Sequence, residues 1–400
     1  MLETLIAALC LAAAPADNWP AFRGTGDSVS SAESLPVNWS ESDGIAWRAE
    51  ITGYGQSSPV IWRNRVFVTS ADGARKEHAV MACFDLENGE AVWEQSLEAA
   101  QTTEVTDYIS RAAPTPAVDD KAVYAFYDTG NLAAWSHDGE LLWSRNLVEE
   151  YGPLTGNHGV GGSIAITDRA VIVLVDHSGP SYLLAADKKT GKTIWKTDRP
   201  ANVAWSSPIA TNDGRIIVSA AGRCEAFDAE TGEQQWKVAG IEGNTVPSAT
   251  VSGDLVVVGS KDVGSNLAIR VPADRAVRET EIAWRSSDAT ATFSSPLVYR
   301  GHVYLINRTG VAFCLDEVTG ETVWKQRIAG SCWASPLGAC GRVYFFEKSG
   351  TTTVVKADGT ADVLAENVLP TEDRVYGVAA VEGRFVIRLG SELVCIDGTD

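Results

Sequence analysis

The sequence predicts an all-β fold: an eight-bladed β-propeller of four-stranded antiparallel blades, its ring closed by an N-terminal strand that completes the last blade. Three observations predict it. A strand–turn–strand phrase ending in tryptophan recurs along the chain. A second phrase of small residues and proline opens each unit. A closing strand also stands near the start of the chain with no unit before it.

The closing phrase is clearest at Phe84–Trp93, Ala186–Trp195, Phe227–Trp236 and Leu315–Trp324. In each, an apolar strand runs into Asp, whose carboxylate can cap turn N–H groups. Gly follows four residues later and takes the left-handed backbone other residues avoid. A hairpin then returns as a second strand. The terminal Trp is a large ring suited to burial between neighbouring blades. Trp47, Trp93, Trp143, Trp195, Trp236, Trp284 and Trp324 lie 40 to 52 residues apart. Propeller blades recur at about that period.

The opening phrase reads Ser57-Ser58-Pro59-Val60, Pro114-Thr115-Pro116-Ala117, Ser206-Ser207-Pro208-Ile209, Ser294-Ser295-Pro296-Leu297 and Ala334-Ser335-Pro336-Leu337. Proline and small residues suit a short inner strand beside a crowded axis. Seven blades start near Ser57, Thr115, Ser163, Ser207, Ser248, Ser295 and Ser335, and an eighth near Ala379. The eighth lacks a final strand, and Ile45–Ile51 is a final strand without a blade. Pairing the two closes the ring and removes open edges. Blades five, seven and eight depart from the phrase.

Composition narrows the function classes. The net charge of −19, from 52 acidic and 33 basic residues, opposes binding to phosphate backbones, so no nucleic-acid partner is expected. Residues 1–16 read as a signal peptide: an apolar run from Leu5 to Ala14, then small residues before Asp17, though Glu3 stands where a positive charge is usual. Residues 17–400 then form one propeller, periplasmic or secreted, with no transmembrane segment and expected to be a monomer. Cys10 follows Ala8-Leu9 and is not expected to carry a lipid. Cys83, Cys314 and Cys395 share one repeat position in different blades, so they are read as buried thiols rather than disulfide partners. No spacing of Cys and His predicts zinc.

Together these phrases resemble the PQQ-like repeat β-propellers, with Ala186–Trp195 the closest copy of that family's tryptophan-docking phrase. Asn18-Trp19-Pro20-Ala21-Phe22-Arg23-Gly24, followed by Leu35-Pro36-Val37-Asn38-Trp39, is similar to the opening of exported bacterial members. The resemblance implies one of two uses. One is a BamB-type scaffold without a cofactor. The other is a quinoprotein dehydrogenase acting on alcohols or sugars, with PQQ lying on a funnel tryptophan and calcium beside it. The chain has no adjacent Cys pair and no long insertions. A binding or scaffolding propeller with a protein, peptide or polymer partner and no cofactor is therefore expected, with the quinoprotein, or a cofactor-less relative of one, as the alternative.

Aligning the blade entries gives a ring of equivalent positions: Gln56, Ala113, Gly161, Trp205, Val246, Phe293, Trp333 and Gly377. These should lie at one mouth of the axial channel. Arg111, His158 and Tyr376 fall nearby, with Tyr54, Asn157, Asn244, Asp107 and Asp373. An aromatic funnel with a few polar groups suits a flat ligand or a peptide. The competing reading is that the aromatics plug the channel. No nucleophile motif or catalytic triad is legible.

Overall fold

The computed structural model describes residues 18–105, 110–156, 158–274, 279–328 and 330–398. The expected signal peptide and Cys10 lie outside them, as do Asp107 and Asn157.

Eight four-stranded antiparallel sheets follow one another around a ring. Blades one to seven span residues 60–98, 117–146, 165–199, 209–239, 250–285, 297–327 and 337–368. Blade eight takes three strands from 377–397 and its outer strand from Ile45–Glu50, which pairs Trp47 with Cys395 and Glu50 with Glu392. The one helix among the described residues is a single turn, Leu147–Tyr151.

The repeat phrase acquires its physical meaning at the junctions between blades. Five of the seven closing tryptophans lie on the glycine of the next blade's turn, and the indole N–H of each donates to a carbonyl of that turn. The bonds run from Trp47 to Leu86 (2.9 Å), Trp93 to His137 (2.7 Å), Trp143 to Lys188 (2.8 Å), Trp195 to Ala229 (3.0 Å) and Trp284 to Glu317 (2.8 Å). The residue paired with each of the seven tryptophans inside its own blade is small. It is Cys opposite Trp47, Trp93 and Trp324, and Ala opposite Trp143, Trp195, Trp236 and Trp284. The shared Cys frame is therefore a packing position beside a large ring. Burial pushes the thiols of Cys83, Cys314 and Cys395 up to about 12, which keeps them protonated and inert.

Two junctions break the pattern. Blades five and seven lack the Asp-x-x-x-Gly turn, and the indole N–H groups of Trp236 and Trp324, which face those blades, are buried without a partner. A buried unpaired donor costs about 1–3 kcal/mol. Blade two also lacks that Asp but keeps a glycine turn at Gly139 and the docking bond from Trp93.

Gly232 has φ +71°, and a methyl added there would sit 2.4 Å from the Trp195 ring. Gly222 has φ +85° with nothing within 4 Å. Both positions carry the left-handed backbone cost of about 1–2 kcal/mol for a non-glycine residue. Gly222→Ala should lose only that amount on urea unfolding, and Gly232→Ala clearly more. Equal losses would show that the ring contact contributes nothing.

The inner strands share a chain of hydroxyls. The backbone N–H groups of Ser58, Thr115, Ser163, Ser207, Ser248 and Ser295 each donate to the Ser or Thr hydroxyl at the same position of the next blade, at 2.8–3.0 Å, and Ser335 ends the series. The pairing register of blade eight puts Gly377 at this position. A Cβ on Gly377 would fall 2.0 Å from the Ser58 hydroxyl, so no side chain fits. Gly377 therefore leaves the set of mouth positions, and Val375 takes its place.

The segment 18–30 seals the opposite mouth. Trp19 bridges to Ile61 of blade one, and the Pro20 carbonyl accepts from Val118 of blade two. The buried Arg23 guanidinium reaches blade five, donating to the Ala249 carbonyl (3.1 Å) and the Thr250 hydroxyl (2.6 Å). Ser30 then bonds to Gly338 of blade seven and Ala380 of blade eight. The opening motif around Trp19 and Arg23 is thus a strap across the base of the ring.

Candidate functional site

The blade entries bring five of the seven candidate residues into one arc. Phe293 enters blade six and lies 5.9 Å from Trp333 of blade seven, centroid to centroid. Trp333 lies 5.6 Å from Tyr376 of blade eight. Tyr376 meets Tyr54 of blade one edge-on, and their hydroxyls are 2.7 Å apart. The Arg111 guanidinium of blade two stacks 3.7 Å over the Tyr54 ring. Gln56 locks this end: its side-chain oxygen accepts from the Arg111 backbone N–H at 3.0 Å. The Tyr54 hydroxyl also donates to Asp373 at 2.7 Å. Burial, then the bonds to Tyr376 and Asp373, push the Tyr54 phenol well above its ordinary range. It stays a neutral donor at physiological pH.

His158 and Trp205 form a separate pair, 5.8 Å apart. The Trp205 indole N–H donates to the Gly159 carbonyl at 3.0 Å, so this ring ties blade four to the entry of blade three. Asn244 is fully buried and bonds to Gly222, Ser219 and the Arg223 carbonyl, which makes it a structural residue.

Three cations at this mouth were not among the sequence candidates. Arg374 lies 5.1 Å and Lys348 6.0 Å from the centre of the Trp333 ring. Arg388 is wholly buried behind the entry of blade one, where its Nε–H contacts the carbonyls of Gly55 and Gly390. Both of its Nη groups lack a partner. Burial pushes its guanidinium down to about 9, partly countered by Tyr54, Asp373 and Tyr376. A charged residue inside the apolar strand Arg384–Leu389 was a signal available in the sequence.

Below the arc the channel is nearly filled. A cavity of ≈30 Å³ lies between Trp333, Tyr376 and Ser58 above and Trp19, Phe22 and Arg23 of the strap below. That is room for one or two water molecules. A tricyclic cofactor needs a pocket of about 300 Å³ or more. No group of three His, Cys, Asp or Glu side chains among the described residues can hold a metal ion. The described residues therefore leave no room for PQQ buried in the channel, and no redox step is derived from it.

The comparisons fit this geometry. The family model of the outer membrane protein assembly factor BamB matches residues 26–153, 133–306 and 275–397. The chain belongs to this family. BamB of Alkalilimnicola ehrlichii is 25% identical over 184 residues, 46% of this chain and 43% of that protein. BamB of Escherichia coli is 27% identical over 177 residues, 43% of this chain and 41% of that protein. The chain thus matches under half the length of these BamB relatives. The crystal structure of Moraxella catarrhalis BamB superposes with a TM-score of 0.63 at 14% identity, covering 88% of this chain and 96% of that one. The quinohemoprotein alcohol dehydrogenase of Comamonas testosteroni gives 0.68 at 13% identity, covering 98% and 82%. Such low identities speak for the shared fold alone, which the BamB family has in common with the quinoproteins.

Proposed function

We propose that this BamB-family propeller is a binding or scaffolding protein outside the cytoplasm, engaging a protein partner through the aromatic mouth. The observation that carries the reading is the arc from Phe293 to Arg111 standing over a filled channel. A filled axis leaves no deep chamber beneath the aromatic mouth. Phe293, 37% exposed, presents an aromatic surface at the rim instead. Exposed aromatic rings are the kind of group that anchors protein interfaces. The relatives' name, outer membrane protein assembly factor, and the leader-like residues 1–16 support a periplasmic setting. No helix among the described residues is long and apolar enough to cross a membrane.

Thermal unfolding with PQQ, with and without calcium, tests this reading against the quinoprotein alternative. A ligand at about 100 times its dissociation constant adds about 2.7 kcal/mol if it binds only the folded state. No calcium-dependent rise in Tm is expected. A saturable rise that requires calcium would overturn the reading and call for alcohol and sugar oxidation assays.

A further inference from the structure

We propose that the mouth is a carboxylate receptor: Arg111, Lys348 and Arg374, backed by the buried Arg388, take the side-chain carboxylates of an acidic segment of a protein partner. The inference rests on the binding reading above and adds the chemistry of what is bound.

The first argument is the local reversal of charge. The chain carries −19 overall, yet four cations converge on one small aromatic cluster. Two acids among the described residues nearby, Asp373 and Glu347, are already engaged. Asp373 accepts from the Tyr54 hydroxyl and the Arg374 backbone N–H. Glu347 accepts from the Gly330 N–H and the Ser349 hydroxyl. Arg111, Lys348 and Arg374 lie against ring faces. A guanidinium stacked on an aromatic face keeps its N–H edge open, and that edge matches a carboxylate in a two-point bond.

The second argument is Arg388. A fully buried guanidinium with both Nη groups unpartnered is a cost the fold retains. The ionisable groups around it are Tyr54, Tyr376 and Asp373, which are the polar groups of the mouth itself. Its charge, poorly screened by protein, adds to the pull on an anion above.

The third argument is depth. With only ≈30 Å³ beneath the rings, the site cannot engulf a whole molecule, whereas side chains of an extended segment can lie across it. The negative charge elsewhere would repel the same segment, so only this mouth accepts it.

Isothermal titration of the full chain with the peptide Asp-Glu-Phe-Asp-Glu, and with its neutral counterpart Asn-Gln-Phe-Asn-Gln, tests the proposal. The acidic peptide should bind at least about tenfold more tightly, as charge-assisted bonds require. Arg111→Gln and Arg374→Gln should each weaken it about tenfold, whereas Arg169→Gln on the outer rim should not. Equal binding of the two peptides, no binding of either at millimolar concentration, or indifference to both substitutions would overturn the proposal. So would benzene-1,3,5-tricarboxylate binding as tightly as the acidic peptide, because the ligand would then be a small molecule. If the peptides fail while a partner still cross-links at Phe293, the carboxylate inference falls and the binding reading stands.

Discussion

Deleting residues 39–51 is expected to destabilise the whole propeller rather than one edge of it. The strand Ile45–Glu50 supplies the outer strand of blade eight. From it Trp47 reaches across to blade one, where its ring meets Gly89 and its N–H bonds to the Leu86 carbonyl. The same segment is anchored to blade seven, where the Asn367 side chain accepts from the Trp39 N–H at 2.8 Å. Removing it leaves the last strand of blade eight as an open edge and unseals the junction between blades eight and one. Such an edge is also a template for association with other chains. Urea unfolding should show a much lower midpoint, and aggregation should rise. An unchanged midpoint would mean the ring does not depend on this closure.

Trp195→Ala should cost about 3–5 kcal/mol, the range for emptying a buried aromatic site. The ring is 8% exposed, lies against Gly232 and bonds to the Ala229 carbonyl. Phenylalanine separates packing from hydrogen bonding. Trp195→Phe leaves the Ala229 carbonyl without its donor and should cost about 1 kcal/mol for the bond beyond lost contact area. Trp236→Phe removes an indole N–H that has no partner, so that added cost should be absent. Loss of less than 1 kcal/mol for Trp195→Ala, by denaturant unfolding, would contradict the junction assignment.

The fold was legible because its repeat places every strong signal within a few residues of the next. The Asp–Gly–Trp phrase, the Ser-Pro phrase and the stray strand at Ile45 each declare themselves locally. What links the blades was not legible. The hydroxyl chain from Ser58 to Ser335 and the docking of the five tryptophans join residues 33 to 57 positions apart. Gly377 was set two residues too late because blade eight has neither the Ser or Thr nor the proline that marks most other entries. The opening motif stood out as a resemblance, but its work as a strap shows only through Arg23 reaching blade five.

The site was legible in its aromatic half. Phe293 and Trp333 occupy matched entry positions, which alignment finds, and Tyr376 lies one residue beyond the matched Val375. Arg374 shares the entry segment of Tyr376, whereas Lys348 comes from a turn inside blade seven and Arg388 from the second strand of blade eight, so no single frame contains all three. Gln56, His158 and Trp205 were placed at the mouth by position. Gln56 and Trp205 are engaged with backbone of neighbouring blade entries, and His158 stands beside Trp205. Those contacts bind blade to blade as much as they shape a surface.

The most direct measurement is photo-cross-linking of the full chain in cells, with the reactive residue at Phe293 or, on the opposite face of the same blade, at Val318. Val318 is the more exposed of the two, 70% against 37%, so chance encounters favour it. The account predicts a discrete cross-linked protein from Phe293, diminished by Trp333→Ser, and none from Val318. Capture at both positions alike, or at Val318 alone, would contradict the claim that the aromatic mouth is where this propeller binds.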